Sequence, residues 1–244
     1  NRSVLEAARR IVVIGSEMIP ILRKKSKKDI ENKILVIPNW YQDNISSCSS
    51  DDGPDFGFSE RDCRFVVVYT GNMGILQDIE TIKAAILELP RDTLDFVFTG
   101  HGRYHEKLKK WSFDNKLENV KVLDFLVGEE YKAILHRADC CLVSLRKGVE
   151  GLSVPSKTYG YLAAGKPVIA IMGKETDIAR DLISFNAGFV VQQGDTKNLK
   201  KTIVHLMQNQ GLAVTMGAHA KDLFNTKYKM EVAINKYIKL IDSL

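Results

Sequence analysis

The sequence predicts an α/β fold, a doubly wound parallel sheet of Rossmann-like type with helices on both faces. Two observations predict it. Short apolar runs alternate with amphipathic stretches along the chain, the order that β–α–β units leave in a sequence. Several of those runs, such as "FVVVY" at 65–69 and "VIAI" at 168–171, carry almost no polar alternation, as strands covered on both faces require. With 244 residues, 45% of them hydrophobic, the chain has ample apolar mass for a buried core.

In chain order, the first 40 residues read as strand (11–14), helix, strand (34–37). That is too little to fold alone, so residues 1–40 are expected to belong to a preceding domain. Residues 41–62, "YQDNISSCSSDDGPDFGFSERD", are rich in Ser, Asp and Gly and are expected to be a flexible linker. The main domain is then expected at 63–228. Its strands are placed at 65–69, 96–99, 120–123, 141–144, 168–171 and 188–191. Its helices are placed at 78–89, 104–111, 129–137, 156–164, 176–185, 196–208 and 212–224, with one more at 230–241. The helix at 156–164 is closed by Gly165-Lys166-Pro167, a glycine stop ahead of the next apolar run.

Bulk properties exclude several classes. A formal charge of +5 and 8% aromatic residues permit anionic ligands but do not make a nucleic-acid face. The four cysteines, at 48, 63, 140 and 141, show no metal-ligand spacing. They are expected to be reduced and the compartment cytoplasmic. No apolar run reaches the roughly 18 residues of a membrane span, and no signal peptide is read. The chain opens Asn1-Arg2-Ser3 without an initiator Met, so it is expected to be a fragment of something longer. The run Arg23-Lys24-Lys25-Ser26-Lys27-Lys28 reads as a solvated helix end favoured by the dipole. The other reading is a surface for anionic lipid or a phosphorylated acceptor.

Ligands of open α/β sheets lie at the carboxyl ends of the strands. After 65–69 come Thr70-Gly71-Asn72-Met73-Gly74, read as a strand-to-helix turn whose glycines would let backbone amides approach an anion. A turn that simply needs positive φ explains the same glycines. After 96–99 come Gly100-His101-Gly102, which lack the third glycine of the dinucleotide fingerprint. After 141–144 the chain gives "LRKGVEGLSVPSK" at 145–157. Ser153 or Ser156 is expected to cap the following helix. Its first-turn amides and Lys157 would together suit a diphosphate. Glu150 is a carboxylate placed to accept hydrogen bonds from sugar hydroxyls. A capped helix with a solvated Lys and a loop Glu explains the same segment.

"VVYTGNMGILQDIETIKAA", "DFVFTGHGRYHEKLKK", "NVKVLDFL", "ILHRADCCLVSL", "EGLSVPSKTYGYLAAGKPVIA" and "AGFVV", in this order, resemble the C-terminal half of a GT-B-fold retaining glycosyltransferase. More narrowly, they resemble the large family of bacterial polysaccharide, O-antigen and capsule transferases, in its "VPSK" variant. "IVVIGSEMIPILRKK" and "KILVIPNW" resemble the end of that family's N-terminal domain and the crossover. The resemblance implies that 1–40 are a remnant of the acceptor domain. It implies that 63–228 hold the donor nucleotide-sugar and that the helix at 229–244 packs toward the missing domain. It implies metal-independent, retaining transfer with no cofactor, from a nucleotide-diphosphate sugar, UDP-linked, to a glycan or lipid-linked acceptor. Nucleic acid is not an expected partner, and peripheral membrane contact would come through the missing domain. The isolated fragment is expected to be inactive.

Carried over residue by residue, the resemblance assigns Gly71, Asn72 and Gly74 to the first glycine loop, and Phe125 and Leu126 to the nucleobase. Positions that carry Arg and Lys in the family are here Asn72 and Gln77. Lys157, with Arg146 or Lys147 and the Ser153–Ser156 segment, would take over the phosphates. The family's ribose-binding Glu falls on Gly160. Glu150 stands for the first Glu of that pair, two residues off its spacing, and is the expected catalytic residue. Glu175 or Asp177 could supply the missing carboxylate. These departures keep a non-catalytic nucleotide-sugar-binding module open as an alternative, with a sugar-nucleotide epimerase behind it.

Overall fold

The computed structural model describes residues 2–43, 56 and 64–244. The remainder of the expected linker, with Cys48 and Cys63, lies outside the described residues. The first segment forms α1 (Arg2–Ala7), β1 (Ile11–Val13), α2 (Ile19–Lys25) and β2 (Ile34–Val36). β1 and β2 pair in parallel with Ile11 beside Ile34. Helix α1 was not foreseen, because a six-residue helix that buries no side chain leaves no apolar period in the sequence.

From residue 64 the alternation runs β3 (Phe65–Asn72), α3 (Ile79–Leu87), β4 (Leu94–His101), α4 (His105–Asp114), β5 (Val120–Leu123) and α5 (Gly128–Arg137). It continues with β6 (Cys140–Ser144), α6 (Lys157–Ala163), β7 (Val168–Ile171), α7 (Asp177–Ser184) and β8 (Gly188–Val191). Helices α8 (Thr196–Gln208) and α9 (Gln210–Leu223) follow, then a π turn at Phe224–Tyr228 and α10 (Met230–Asp242). Six strands form one sheet in the order β5-β4-β3-β6-β7-β8, all parallel. This is the doubly wound fold expected from the sequence.

β3 shows why strand alternation is missing from the sequence. Val66 and Val68 join the apolar layer that includes Ile134 of α5, Leu162 of α6 and Leu223 of α9. Phe65, Val67 and Tyr69 join the opposite layer, with Ile82 of α3, Leu108 of α4 and Ile203 of α8. Each fully buried side chain of this kind stabilises by about 1.5–3 kcal/mol. An exposed ion pair such as Lys110–Asp114 contributes about 0–1 kcal/mol. The two apolar layers therefore hold the sheet. Cys140 and Cys141 lie within them as free thiols, and burial pushes the Cys141 thiol up to about 12.

Helix ends follow local chemistry. Asp78, Thr176 and Asp195 cap α3, α7 and α8 by accepting from the amides of Thr81, Ala179 and Asn198. Gly165, at φ +64°, ends α6. Its amide donates to the Leu162 carbonyl and the Lys166 amide to that of Tyr161, the glycine-stop geometry the sequence announced.

The β1–β2 unit meets the large α/β unit at several places, among them one hydrogen-bonded and one apolar contact. The Ser16 amide and hydroxyl donate to the Asp177 carboxylate at 2.6 and 2.7 Å. At the apolar one, Ile37 packs with Ala233 and Leu240 of α10. Tyr41, placed by the sequence at the start of the linker, pairs with Lys229 and donates its amide to the Tyr228 carbonyl.

Candidate functional site

The order of the sheet reverses between β3 and β6, and a doubly wound sheet opens its crevice where the winding reverses. A cleft of about 710 Å³ lies there. Thr70, Gly71 and Asn72 line it from β3, Thr99 from β4, and residues 125–128 from the β5–α5 loop. Tyr131 of α5, the segment 153–157, Tyr159 and residues 39–41 complete it. Lys157 is its one charged lining side chain among the described residues.

The sequence read Gly71 and Asn72 as a turn. They are instead the last rungs of β3, with Gly71 beside Gly100 and Asn72 beside His101. Two glycines face each other there for a steric reason. A Cβ on Gly100 would lie 2.0 Å from the Gly71 carbonyl oxygen. Gly71 itself has φ +83°, so the strand end swings away and presents its backbone to the cleft.

Lys157 reaches across to this strand end. Its Nζ donates to the Asn72 carbonyl at 3.2 Å and stands 3.7 Å from the centroid of the Tyr69 ring. Burial lowers the ammonium to about 7, because neither partner carries the charge that would offset lost hydration.

The expected serine cap is not made. Ser156 has helical dihedrals and its side chain makes no cap hydrogen bond, because its backbone has already entered the helix. The first turn is also tighter than expected. The Thr158 and Tyr159 amides close onto the Pro155 and Ser156 carbonyls. Those of Ser156 and Lys157 make no backbone hydrogen bond among the described residues.

Gly71, Asn72, Phe125, Leu126, Ser153, Ser156 and Lys157 all line the cleft, whereas Gly74, Arg146 and Glu150 do not. Gly74 lies behind Asn72 and donates its amide to Gln77 Oε1 at 2.9 Å. Arg146 is an exposed residue whose amide binds the Leu76 carbonyl. Glu150 accepts from the Gly148 amide and from Gln193 Nε2, both at 2.7 Å. Asp177, considered as a substitute carboxylate, is committed to Ser16 and Arg180. Burial raises its pKa, but these hydrogen bonds and the Arg180 charge outweigh that and leave it lowered.

No carboxylate lines the cleft among the described residues, and hydroxyls stand in the corresponding place. Above Gly160, a Cβ would lie 2.7 Å from the Tyr131 hydroxyl, so the phenol fills the space left by the absent side chain. Tyr131 shares Thr70 as a hydrogen-bond partner. The Tyr161 hydroxyl accepts from the Thr70 amide at 2.7 Å. Sequence reasoning missed Tyr131, Tyr41 and Thr70. Tyr131 falls on the apolar stripe of α5 with Ile134 and Leu135, and looks like core. At the outer edge, Phe125 is 56% exposed and meets His101 edge to face at 5.3 Å. Among the described residues no three His, Cys, Asp or Glu converge as metal ligands.

The fold and its switch-point cleft define an α/β domain of GT-B type, matching the C-terminal half of such transferases. The chain belongs to the glycosyl transferases group 1 family, whose profile matches residues 64–209. It is similar to the probable glycosyltransferase WbjE of Pseudomonas aeruginosa, 26% identical over 99% of this chain and 60% of that protein. It is also similar to the putative colanic acid biosynthesis glycosyl transferase WcaI of Escherichia coli K12, 24% identical over 66% of this chain and 41% of that one. Among solved structures, Anabaena Alr3699/HepE in complex with UDP-glucose superposes with a TM-score of 0.76. It is 14% identical over 99% of this chain and 65% of that one. The chain spans 60% or less of the length of these two curated relatives.

Proposed function

We propose that this chain is the donor-binding part of a retaining glycosyltransferase. It would move a sugar from a UDP-type nucleotide-diphosphate sugar to a glycan or lipid-linked acceptor in cell-surface polysaccharide synthesis. The observation that carries this is Lys157, a cation without a carboxylate partner inside a switch-point cleft. A diphosphate lying between Lys157 and the open amides of Ser156 and Lys157 would supply the missing negative charge. Phe125 and Leu126 offer an apolar shelf for the base, and the Tyr131 and Thr70 hydroxyls offer partners for the ribose. Glu150 and Gln193, beyond the Ser153 side, would meet the sugar after a small movement of the 148–153 loop. Arg146 would add charge from outside. Leaving-group charge would be neutralised by Lys157 and the amides, without a metal or other cofactor. WcaI by its name and HepE by its bound UDP-glucose support the substrate class.

Thermal unfolding with UDP, GDP and their sugars tests this reading. A ligand at 100 times its Kd stabilises by about 2.7 kcal/mol, and no shift with any of them would reject the proposal. The neutral residues Asn72, Gln77 and Gly160 favour a second reading, a module that binds the nucleotide-sugar without transferring it. Sugar transfer by a form that includes the acceptor domain excludes that reading.

A further inference from the structure

A second cavity, of about 440 Å³, lies at the opposite end of the sheet from the donor cleft and shares no described residue with it. Arg64 and Asp139 line it just ahead of β3 and β6, Lys166 ahead of β7, and Arg137 at the end of α5. Gln210, which opens α9, completes the polar wall and brings the positive end of a helix dipole to the rim. Three cations thus meet one lining carboxylate. The Arg64 guanidinium pairs with Asp95 at 2.9 Å and donates to the Leu94 carbonyl at 2.9 Å. Its Nε is buried with no hydrogen-bond partner among the described residues, a donor that a bound anion would satisfy. Lys166 answers the carboxyl end of α5 with one hydrogen bond, to the His136 carbonyl at 2.9 Å, of the three that an ammonium can donate. Burial lowers the Lys166 ammonium even though Asp139 favours its charge. Asp139 accepts from the Val66 amide at 2.7 Å, and burial raises its carboxyl although that amide, Lys166 and Arg137 pull it down. The one carboxylate therefore does not offset the cations around it.

We infer that this cavity binds a small phosphate monoester, its phosphate against Arg64, Arg137 and Lys166 and its hydroxyls toward Asp139 and Gln210. Two guanidinium groups and an ammonium are the donors that phosphate oxygens pair with best. The volume falls in the range of small-molecule sites, about 300–1,000 Å³. Inorganic phosphate, the size of a few waters at about 30 Å³ each, would leave most of it empty. A carboxylate and an amide beside the cations give an attached polyol its partners. A nucleotide fits less well: Phe65 is the one aromatic lining residue among those described, and at 2% exposed it offers no face for a base. The inference rests on this cavity and not on the donor reading.

The test is calorimetric titration of the chain with ribose 5-phosphate, inorganic phosphate and ribose. The ester is expected to bind, inorganic phosphate more weakly, and ribose not at all. Lys166→Met and Arg137→Met each remove charge-assisted hydrogen bonds and should each weaken the ester by about ten- to a hundred-fold. Arg137 is exposed, so its variant keeps the test open if Lys166→Met, which also loses the bond to α5, fails to fold. An equal charge loss at Lys197→Met, exposed on α8 and outside the cavity, should leave binding intact. Lys157→Met in the donor cleft should leave it intact too. No binding of the ester, inorganic phosphate binding as tightly as the ester, or equal loss in Lys197→Met would each overturn the inference. Loss in Lys157→Met with binding retained in Lys166→Met and Arg137→Met would overturn it as well, by moving the ester to the donor cleft. The nucleotide-sugar thermal shift, read on Arg137→Met, fails or survives separately and reports on the donor reading alone.

Discussion

Lys157 Nζ stands 3.7 Å over the Tyr69 ring and 3.2 Å from the Asn72 carbonyl oxygen. A quadrupole and a dipole hold the ammonium where a counter-ion would be stronger, which is why burial brings it down to about 7. A diphosphate entering the cleft would raise it again by pairing, and binding would then take up a proton. Nucleotide-sugar affinity is therefore expected to be constant below about pH 7 and to weaken by up to tenfold per pH unit above it. A diester diphosphate has no proton of its own to lose there. Calorimetry in buffers of different ionisation enthalpy measures the uptake, and Lys157→Met should abolish both the uptake and the slope.

The same group has a stability signature with the opposite dependence. Between about 7 and the ordinary lysine value of 10.5 the unfolded chain binds a proton that the folded chain does not. Stability should thus rise with pH across that window and be flat, for this group, below it. Urea midpoints of the wild-type chain and of Lys157→Met, compared at pH values inside and below the window, isolate the contribution. A slope that survives the substitution would assign it to other groups.

Much of the fold was legible because its signals are local. Gly165 announces the end of α6, and the unbroken apolar runs at β3, β6 and β7 announce a sheet covered on both faces. The site was legible only in part. Phe125 follows β5 directly and Lys157 opens the helix that follows β6, so their order after the strands puts both at the crevice. Tyr131 depends on a glycine 29 positions away on another helix, and Glu150 is drawn aside by Gln193. Neither relationship leaves a periodic or compositional trace. The turn read at Gly71 is a strand end because Gly100 lets the two backbones close on each other, a pairing that no single segment encodes.

That pairing can be tested directly. Gly100→Ala would place a Cβ 2.0 Å from the Gly71 carbonyl oxygen at φ +146°, where backbone and not a flexible side chain must yield. A loss of about 3 kcal/mol or more is expected, combining overpacking with backbone strain. Gly194→Ala is the control: it has φ +80° with nothing within 4 Å, so only the left-handed conformation is penalised, by about 1–2 kcal/mol. Equal urea midpoints for the two variants would show that the β3–β4 ends separate easily.

Ser16 and Asp177 link the β1–β2 unit to α7 through two hydrogen bonds, with Arg180 on the same carboxylate. Ser16→Ala keeps the amide bond but removes the hydroxyl that donates to Asp177 and accepts from Arg180, and should reduce stability by about 1–2 kcal/mol. Asp177→Ala leaves the Ser16 amide without its acceptor and removes the carboxylate that balances Arg180, and should cost more. The Asp177 pKa is lowered on balance, so its contribution is complete above the ordinary carboxylate range and disappears as the pH falls through the folded value. Acid unfolding of Asp177→Ala should accordingly show a shallower pH dependence than that of the wild-type chain.

The contact between Gly160 and Tyr131 gives the sharpest test of the hydroxyl lining. A Cβ at 160 would stand 2.7 Å from the phenol oxygen but 3.8 Å from the ring carbon that bears it. Gly160→Ala should therefore push the Tyr131 ring toward the cleft, at about 1–3 kcal/mol, and weaken nucleotide binding with it. Tyr131→Phe alone loses the hydroxyl and its tie to Thr70, at about 1 kcal/mol. When Gly160→Ala is combined with Tyr131→Phe, the added Cβ would find ordinary van der Waals space. The double variant should then be more stable than the sum of the single effects predicts, as groups in direct contact require. Nucleotide-sugar affinity should not recover in the double variant if the phenol oxygen is itself a ligand for the ribose. Full recovery of affinity would make Tyr131 a packing residue and leave the ribose to other groups.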